Sequence, residues 1–264
     1  MAAGVPFPSV GPRRPGWLWR WCLGVALGLL LGQLWGCATR SGPDGHQESR
    51  FDPRALAKTD IDRVAEIDQR EVMSGLHRLA EKLYRRNPRE WKKANQTSLE
   101  GAVERIFLTV PRPGGEDPWP ELEGRREGKA ASLAFREDYH GDRVLALMVG
   151  LVTMARAAFE NKTEFFLFDS LNAQKLYNSA RNLEIASWRL NHSRDGAGEL
   201  FLLSNDLDGA SRNLSFEREM GRMIALLDFL ALVMEDKTGR TVNQVAQNLA
   251  TAVFLPVAAL SPIK

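Results

Sequence analysis

Cysteine is almost absent. Cys22 and Cys37 are the two in 264 residues, too few for the disulfide framework that holds many small secreted domains together. Histidine is nearly as scarce: His46, His77, His140 and His192 stand apart, and none has a second histidine or a cysteine at ligand spacing. With no H-E-x-x-H run, zinc-hydrolase chemistry of that pattern is excluded. No G-x-S-x-G elbow, phosphate loop or G-x-G-x-x-G occurs, and no cofactor or metal is expected. A hydrolase assembled from distant serines or carboxylates needs no such motif and stays open. No sequence period repeats, so a solenoid has no support. Apolar runs are short as well. Trp21–Gly36 has sixteen residues with four glycines and Gln33 among them, below the about 20 that a membrane-crossing helix needs.

What charge there is nearly cancels. The 35 basic and 33 acidic side chains leave +2. Residues 1–36 hold Arg13, Arg14 and Arg20 and no acid, so without them the balance is 32 against 33. The slight basicity belongs to the N-terminus and gives no support to a nucleic-acid partner.

That N-terminus has an order of its own. Arginines lead into the apolar run from Trp21, which ends Leu34-Trp35-Gly36-Cys37. A basic lead, a short apolar stretch and a small residue before the cut are the parts of a secretory signal. Leu34 and Gly36 ahead of Cys37 resemble the lipobox of bacterial lipoproteins. The resemblance covers the first 37 residues and implies cleavage after Gly36 and acylation of Cys37 by palmitate-type chains. Membrane lipid would then be the first partner, with the chain facing the periplasm of a bacterial envelope. Ala38, where inner-membrane lipoproteins of enteric bacteria carry Asp, implies the outer membrane.

The alternative is an uncleaved signal anchor, a type II membrane protein, with Trp17, Trp19, Trp21 and Trp35 at the interfaces and the arginines inside. Asn95, Asn161, Asn191 and Asn213, each in an N-x-S/T triplet, would then be glycosylation acceptors in a eukaryotic source. The Arg13-Arg14 pair suggests twin-arginine export, which Pro15-Gly16-Trp17 fits poorly.

On the lipoprotein reading the chain divides into a signal peptide (1–36), a lipidated cysteine with a Gly/Ser/Pro-rich tether (37–52) and a helical domain (53–264). The domain reads as all-α, an irregular bundle of six or seven helices. Val72, Leu76, Leu79 and Leu83 mark one face of a helix over 60–84. Asn87-Pro88-Arg89-Glu90 predicts a second, with Asn87 as N-cap and Glu90 closing a capping box. A third runs from Ser98 towards Val110. Pro111–Gly128 breaks regular structure, and Trp119 at its centre is expected to pin the loop rather than recruit a partner. Asp142 caps a core helix through the apolar run 144–155. Another helix spans 169–190, and Ser215 caps one through Met234. A last helix is predicted from Thr241 to before Pro256. As a minority alternative, Ile185–Leu190 and Glu199–Ser204 form one short β-hairpin. Ser204–Gly209 faintly resembles a calcium loop, but Ser215 falls where the bidentate glutamate is required, so a turn is expected.

Two constellations carry what chemistry the sequence offers. Arg85, Arg86, Arg89, Lys92 and Lys93 surround Trp91, a pattern that can touch an acidic surface: anionic headgroups, or an unknown acidic envelope protein or polymer. The bland reading is a solvated helix junction. Ser170, Gln174, Asn178 and Asn182 step by four along one helical stripe, suited to a sugar, a peptide backbone or a neighbouring helix, or simply facing water. Asp228, inside the apolar run 223–234, is expected at an exposed edge or paired with an arginine such as Arg222. No catalytic residue stands out. The favoured function is non-enzymatic binding or a structural role in the periplasm; the alternative is a cell-envelope hydrolase.

Overall fold

The computed structural model describes residues 58–109, 116–166, 169–206 and 213–260. Arg13–Cys37, the cleavage point at Gly36, the lipidation site Cys37 and the tether to residue 52 lie outside these. So do the two phenylalanine-run residues 167–168 and part of the rejected calcium loop.

Among the described residues the fold is all-helical: α1 (Asp60–Arg86), α2 (Pro88–Lys93), α3 (Leu99–Ile106), α4 (Glu127–Leu133), α5 (Arg143–Ala158), α6 (Ala173–His192) and α7 (Ser215–Thr238), with a single 3₁₀ turn at Pro120–Leu122. Thr59 and Asp62 form a reciprocal capping box that starts α1, satisfying two amides that the helix itself leaves free.

The middle of the core is α5. Thirteen of its sixteen residues are buried, and it packs against α1, α2, α3, α4 and α6. Asp142 caps it as expected, accepting from Leu145 N at 2.9 Å. Gly150 lets α4 come close: a Cβ there would lie 2.5 Å from Ala131 N and 2.6 Å from Glu127 O. Two long helices flank this core. Arg78 pairs with Glu219, Glu71 with Arg222 and Asp62 with Lys237, an opposed numbering that sets α1 and α7 antiparallel. Ser187 with Glu217 and Arg181 with Asp228 do the same for α6 and α7. None of the helices among the described residues is long and apolar enough to cross a membrane.

Several local expectations need correction. Residues 241–256 form no helix; they run without regular structure over α6. Proline at 256 and the β-branched Thr241, Val242, Thr251 and Val253 work against a helix, and side chains of α6 bond the extended backbone instead. The β-hairpin is absent among the described residues: Ile185–Leu190 lies inside α6. The chain reverses afterwards, with an isolated bridge between Arg194 and Leu200 and Asp195 Oδ1 accepting from Ala197 N and Glu199 N. A short helix, α4, occupies Glu127–Leu133, where a loop was expected as far as Gly128. Ser215 is the first helical residue of α7 rather than its cap; Asn213 Oδ1 accepts its N–H at 3.0 Å. α6 begins at Ala173, not near Asp169, because Asn172 takes the amide of Gln174 at 2.9 Å.

Candidate functional site

The basic cluster sits at the far end of α1 from the point where the chain enters it. Twenty-seven residues at 1.5 Å each put it about 40 Å from Asp60. The α1–α2 corner is built by Asn87. Its Nδ2 donates to Leu203 O and its Oδ1 accepts from Leu203 N, both at 2.8 Å, so one amide answers both main-chain groups of one residue. This occupation explains why the predicted capping box does not form. Glu90 turns elsewhere, accepting from Arg143 N at 2.8 Å and pairing with Lys93 at 2.7 Å.

Around that corner Arg85, Arg86, Arg89, Lys92 and Lys93 are all exposed, and Trp91 is half-buried against the core. Lys92 lies over the Trp91 ring at 5.5 Å. Lys93 has Glu90. Arg85, Arg86, Arg89 and Lys92 have no ion-pair partner among the described residues.

The amide row is engaged. Gln174 Nε2 donates to Asn243 O (3.1 Å) and its Oε1 accepts from Asn243 N (2.7 Å). Asn182 does the same to Leu255, at 2.9 and 2.6 Å. Asn178 donates to Pro256 O at 2.8 Å and receives Gln174 Nε2 at 2.9 Å. Of the readings open to this stripe, a peptide backbone is what it holds, and the backbone is the chain's own. Ser170 precedes the helix and takes no part in these bonds. Arg189, which sequence reasoning passed over, extends the row by donating to Ala252 O at 2.8 Å. Its spacing of seven from Asn182, two turns on the same stripe, is the signal that could have found it.

Trp119 is fully buried and pins its loop, as expected: Nε1 donates to Arg105 O at 2.9 Å, and Arg126 lies 4.7 Å from the ring centre. Asp228 pairs with Arg181 rather than Arg222, which is taken by Glu71.

Two carboxyls are buried in a way the sequence did not show, one on the expected cap Asp142 and one on Asp68. Asp142 accepts from Tyr84 OH at 2.9 Å, and burial pushes its carboxyl up to about 6. Asp68 on α1 is 4% exposed, its Oδ2 has no hydrogen-bond partner, and burial pushes it up to about 7. A cavity of about 870 Å³ lies between α1, α5 and the loop after α5. Its polar wall is largely engaged with backbone. Glu66 accepts from Phe165 N, Gln69 donates to Lys162 O, and Arg156 donates to Phe107 O and Leu108 O. No group of three or more His, Cys, Asp or Glu among the described residues is placed to hold a metal ion.

No protein-family model matches this chain, and neither a curated protein nor a solved structure shows significant similarity to it.

Proposed function

We propose that this chain is a lipid-anchored protein of the bacterial envelope, held through acylated Cys37, whose helical domain binds another envelope component without catalysis. The binding surface is the basic end of α1. What carries the reading is the concentration of Arg85, Arg86, Arg89 and Lys92 there, exposed and without acidic partners among the described residues. Cations left unneutralised at one end of a body that is otherwise nearly balanced attract an acidic surface, each contributing about 1 kcal/mol when close to it.

Two measurements test the reading. Intact mass of the membrane-extracted protein should show loss of residues 1–36 and added acyl mass, both absent in Cys37→Ala. An unprocessed wild type makes the first segment an anchor and ends the lipoprotein reading. Separately, the full chain should bind soluble polyglutamate with an affinity that falls with salt. The triple variant Arg85→Glu, Arg86→Glu, Arg89→Glu should lose at least tenfold. Equal binding by wild type and variant removes the basic end as the contact surface.

A further inference from the structure

The C-terminal segment lies on α6 the way a bound peptide lies on a receptor. Arg189 meets Ala252, Asn182 meets Leu255 and Asn178 meets Pro256, so the segment runs antiparallel to the helix. From residue 178 to 189 a helix rises about 16 Å, and four extended residues cover about 13 Å. The two repeats match closely enough for each contact to fall in step.

What α6 reads is main chain. Asn182 satisfies both the N–H and the C=O of Leu255, as a neighbouring β-strand would. Pro256 has no N–H to offer and is asked only for its carbonyl. Glu127 Oε2 accepts from Ala258 N at 3.1 Å. Side chains matter at few positions. Ala252 and Val257 are buried, at 3% and 0%, whereas Val253 is 66% exposed. Phe254 lies under Arg189, 4.9 Å from its guanidinium carbon. Gly128 is required beneath it, because a Cβ there would collide with Phe254 Cβ. Beside the segment a cavity of about 520 Å³ between Gly124–Lys129 and Val253–Val257 leaves room for bulkier side chains than those present.

The segment is also separable from the fold. The chain leading to it has Asn243 clasped by Gln174 and Val245 N bonded to Tyr177. Beyond that, the bonds of the connecting loop are internal: Ala250 N to Asn248, Thr251 to Asn248 and Val253 N to Gln247. Releasing residues 252–258 therefore breaks no helix.

We propose that the groove lined by Asn178, Asn182 and Arg189 of α6 and by Gly128 of α4 is a polypeptide-binding site that reads main chain, that residues 252–258 occupy it in cis, and that its trans ligand is an extended segment of a partner protein. That segment carries small apolar residues where Ala252 and Val257 sit, and a residue free of N–H demand where Pro256 sits. The cis segment is a competitor at high effective concentration, so a trans ligand sees a site reduced by the fraction of chains that are unlatched. This inference stands apart from the basic end of α1 and does not depend on the anchor.

The test uses the full chain in detergent and a fluorescein-labelled peptide with the sequence of residues 250–258, read by anisotropy. Val257→Asp places a charge in a dry seat and unlatches the segment; a chain ending at Thr251 is a second latch-free form. Both should bind the peptide at least tenfold more tightly than wild type while keeping its helical circular dichroism. Adding Asn182→Leu should abolish that binding, and a peptide N-methylated at the Leu255 position should bind at least tenfold more weakly. The proposal is overturned if either helical latch-free form ignores the peptide, or if N-methylation changes nothing. It is equally overturned if wild type is a dimer by light scattering that Val257→Asp converts to monomer, since the occupant would then be the tail of a second copy.

Discussion

The core helix α5 and the C-terminal stretch 240–260 are both rich in apolar residues, yet they are held by different means. α5 satisfies its own backbone and is positioned by burying thirteen of sixteen residues. The C-terminal stretch has no internal ladder, buries only Val242, Ala252 and Val257, and takes its main-chain partners from Gln174, Asn178, Asn182 and Arg189. In one region the hydrophobic effect chooses the position and hydrogen bonds follow. In the other, unsatisfied backbone groups choose it. Asn87 repeats the device at Leu203. With no strands among the described residues, carboxamides on helix stripes and corners do for extended chain what a neighbouring strand does in a sheet.

The sharpest way to break the comparison is to damage the first region alone. Gly150→Val would push side-chain atoms into the backbone of α4, already 2.5 Å from where a Cβ would lie. Overpacking against backbone cannot relax by a rotamer change, so a loss of at least about 3 kcal/mol is expected. Urea unfolding reads it as a lower midpoint of the single transition, or as failure to fold. A variant as stable as wild type would show that α4 is not pressed on α5 at that point.

The second region should respond differently. Asn182→Ala removes both bonds to Leu255 and leaves its half-buried N–H and C=O without these partners. The local penalty is about 1–3 kcal/mol, concentrated in the tail. Hydrogen exchange should rise across residues 252–258 while amides of α5 keep their protection. Loss of protection throughout the molecule would mean that the tail belongs to the same cooperative unit as the core.

That division also decides what could be read in advance. α1, α5 and α7 were legible because apolar spacing and local caps agree along a single stretch, as with Asp142 ahead of residues 144–155. α4 was missed because Glu127-Gly128-Lys129 opens it with a glycine and a charge instead of an apolar period. The amide stripe was visible at its spacing of four, but its occupant lies 73 residues away from Asn182. Nothing local marks such a pairing, so the same apolar stretch read as a helix. The burial of Asp68 and of the Asp142 cap was equally invisible, since burial is a property of the packed state. The basic end of α1 could be read because adjacent residues make it.

Asp68 offers a smaller test inside the core. In the unfolded chain an aspartate titrates near about 3.9; in the fold, burial pushes this carboxyl up to about 7. Its protonated form is favoured by folding, so its contribution is full below the unfolded value and is lost as pH rises through 7. Asp68→Asn should match wild type near pH 4 and exceed it at pH 8 by on the order of 4 kcal/mol. A remaining slope below pH 6 is expected from Asp142, pushed up to about 6. Parallel stability curves for wild type and variant across pH 4–8 would place Asp68 in contact with water or with a cation.

The smallest effect on stability should come from the region on which the functional proposal rests. Arg85, Arg86 and Arg89 are exposed and make no ion pair among the described residues, so replacing all three with glutamate removes no contact that holds a helix in place. Arg85 and Arg86 do lie in the last turn of α1, where reversed charge opposes the helix dipole at a few tenths of a kcal/mol each. The melting temperature should therefore fall by a few degrees at most, and both the tail protection and the Asp68 pH profile should be unchanged. Against that small change stands the expected loss of polyglutamate binding. Cations that cost slight stability when reversed, but at least tenfold in affinity, are present for a partner rather than for the fold. If the triple variant instead unfolds early and keeps its binding, the basic end is a structural corner and the contact surface lies elsewhere on the domain.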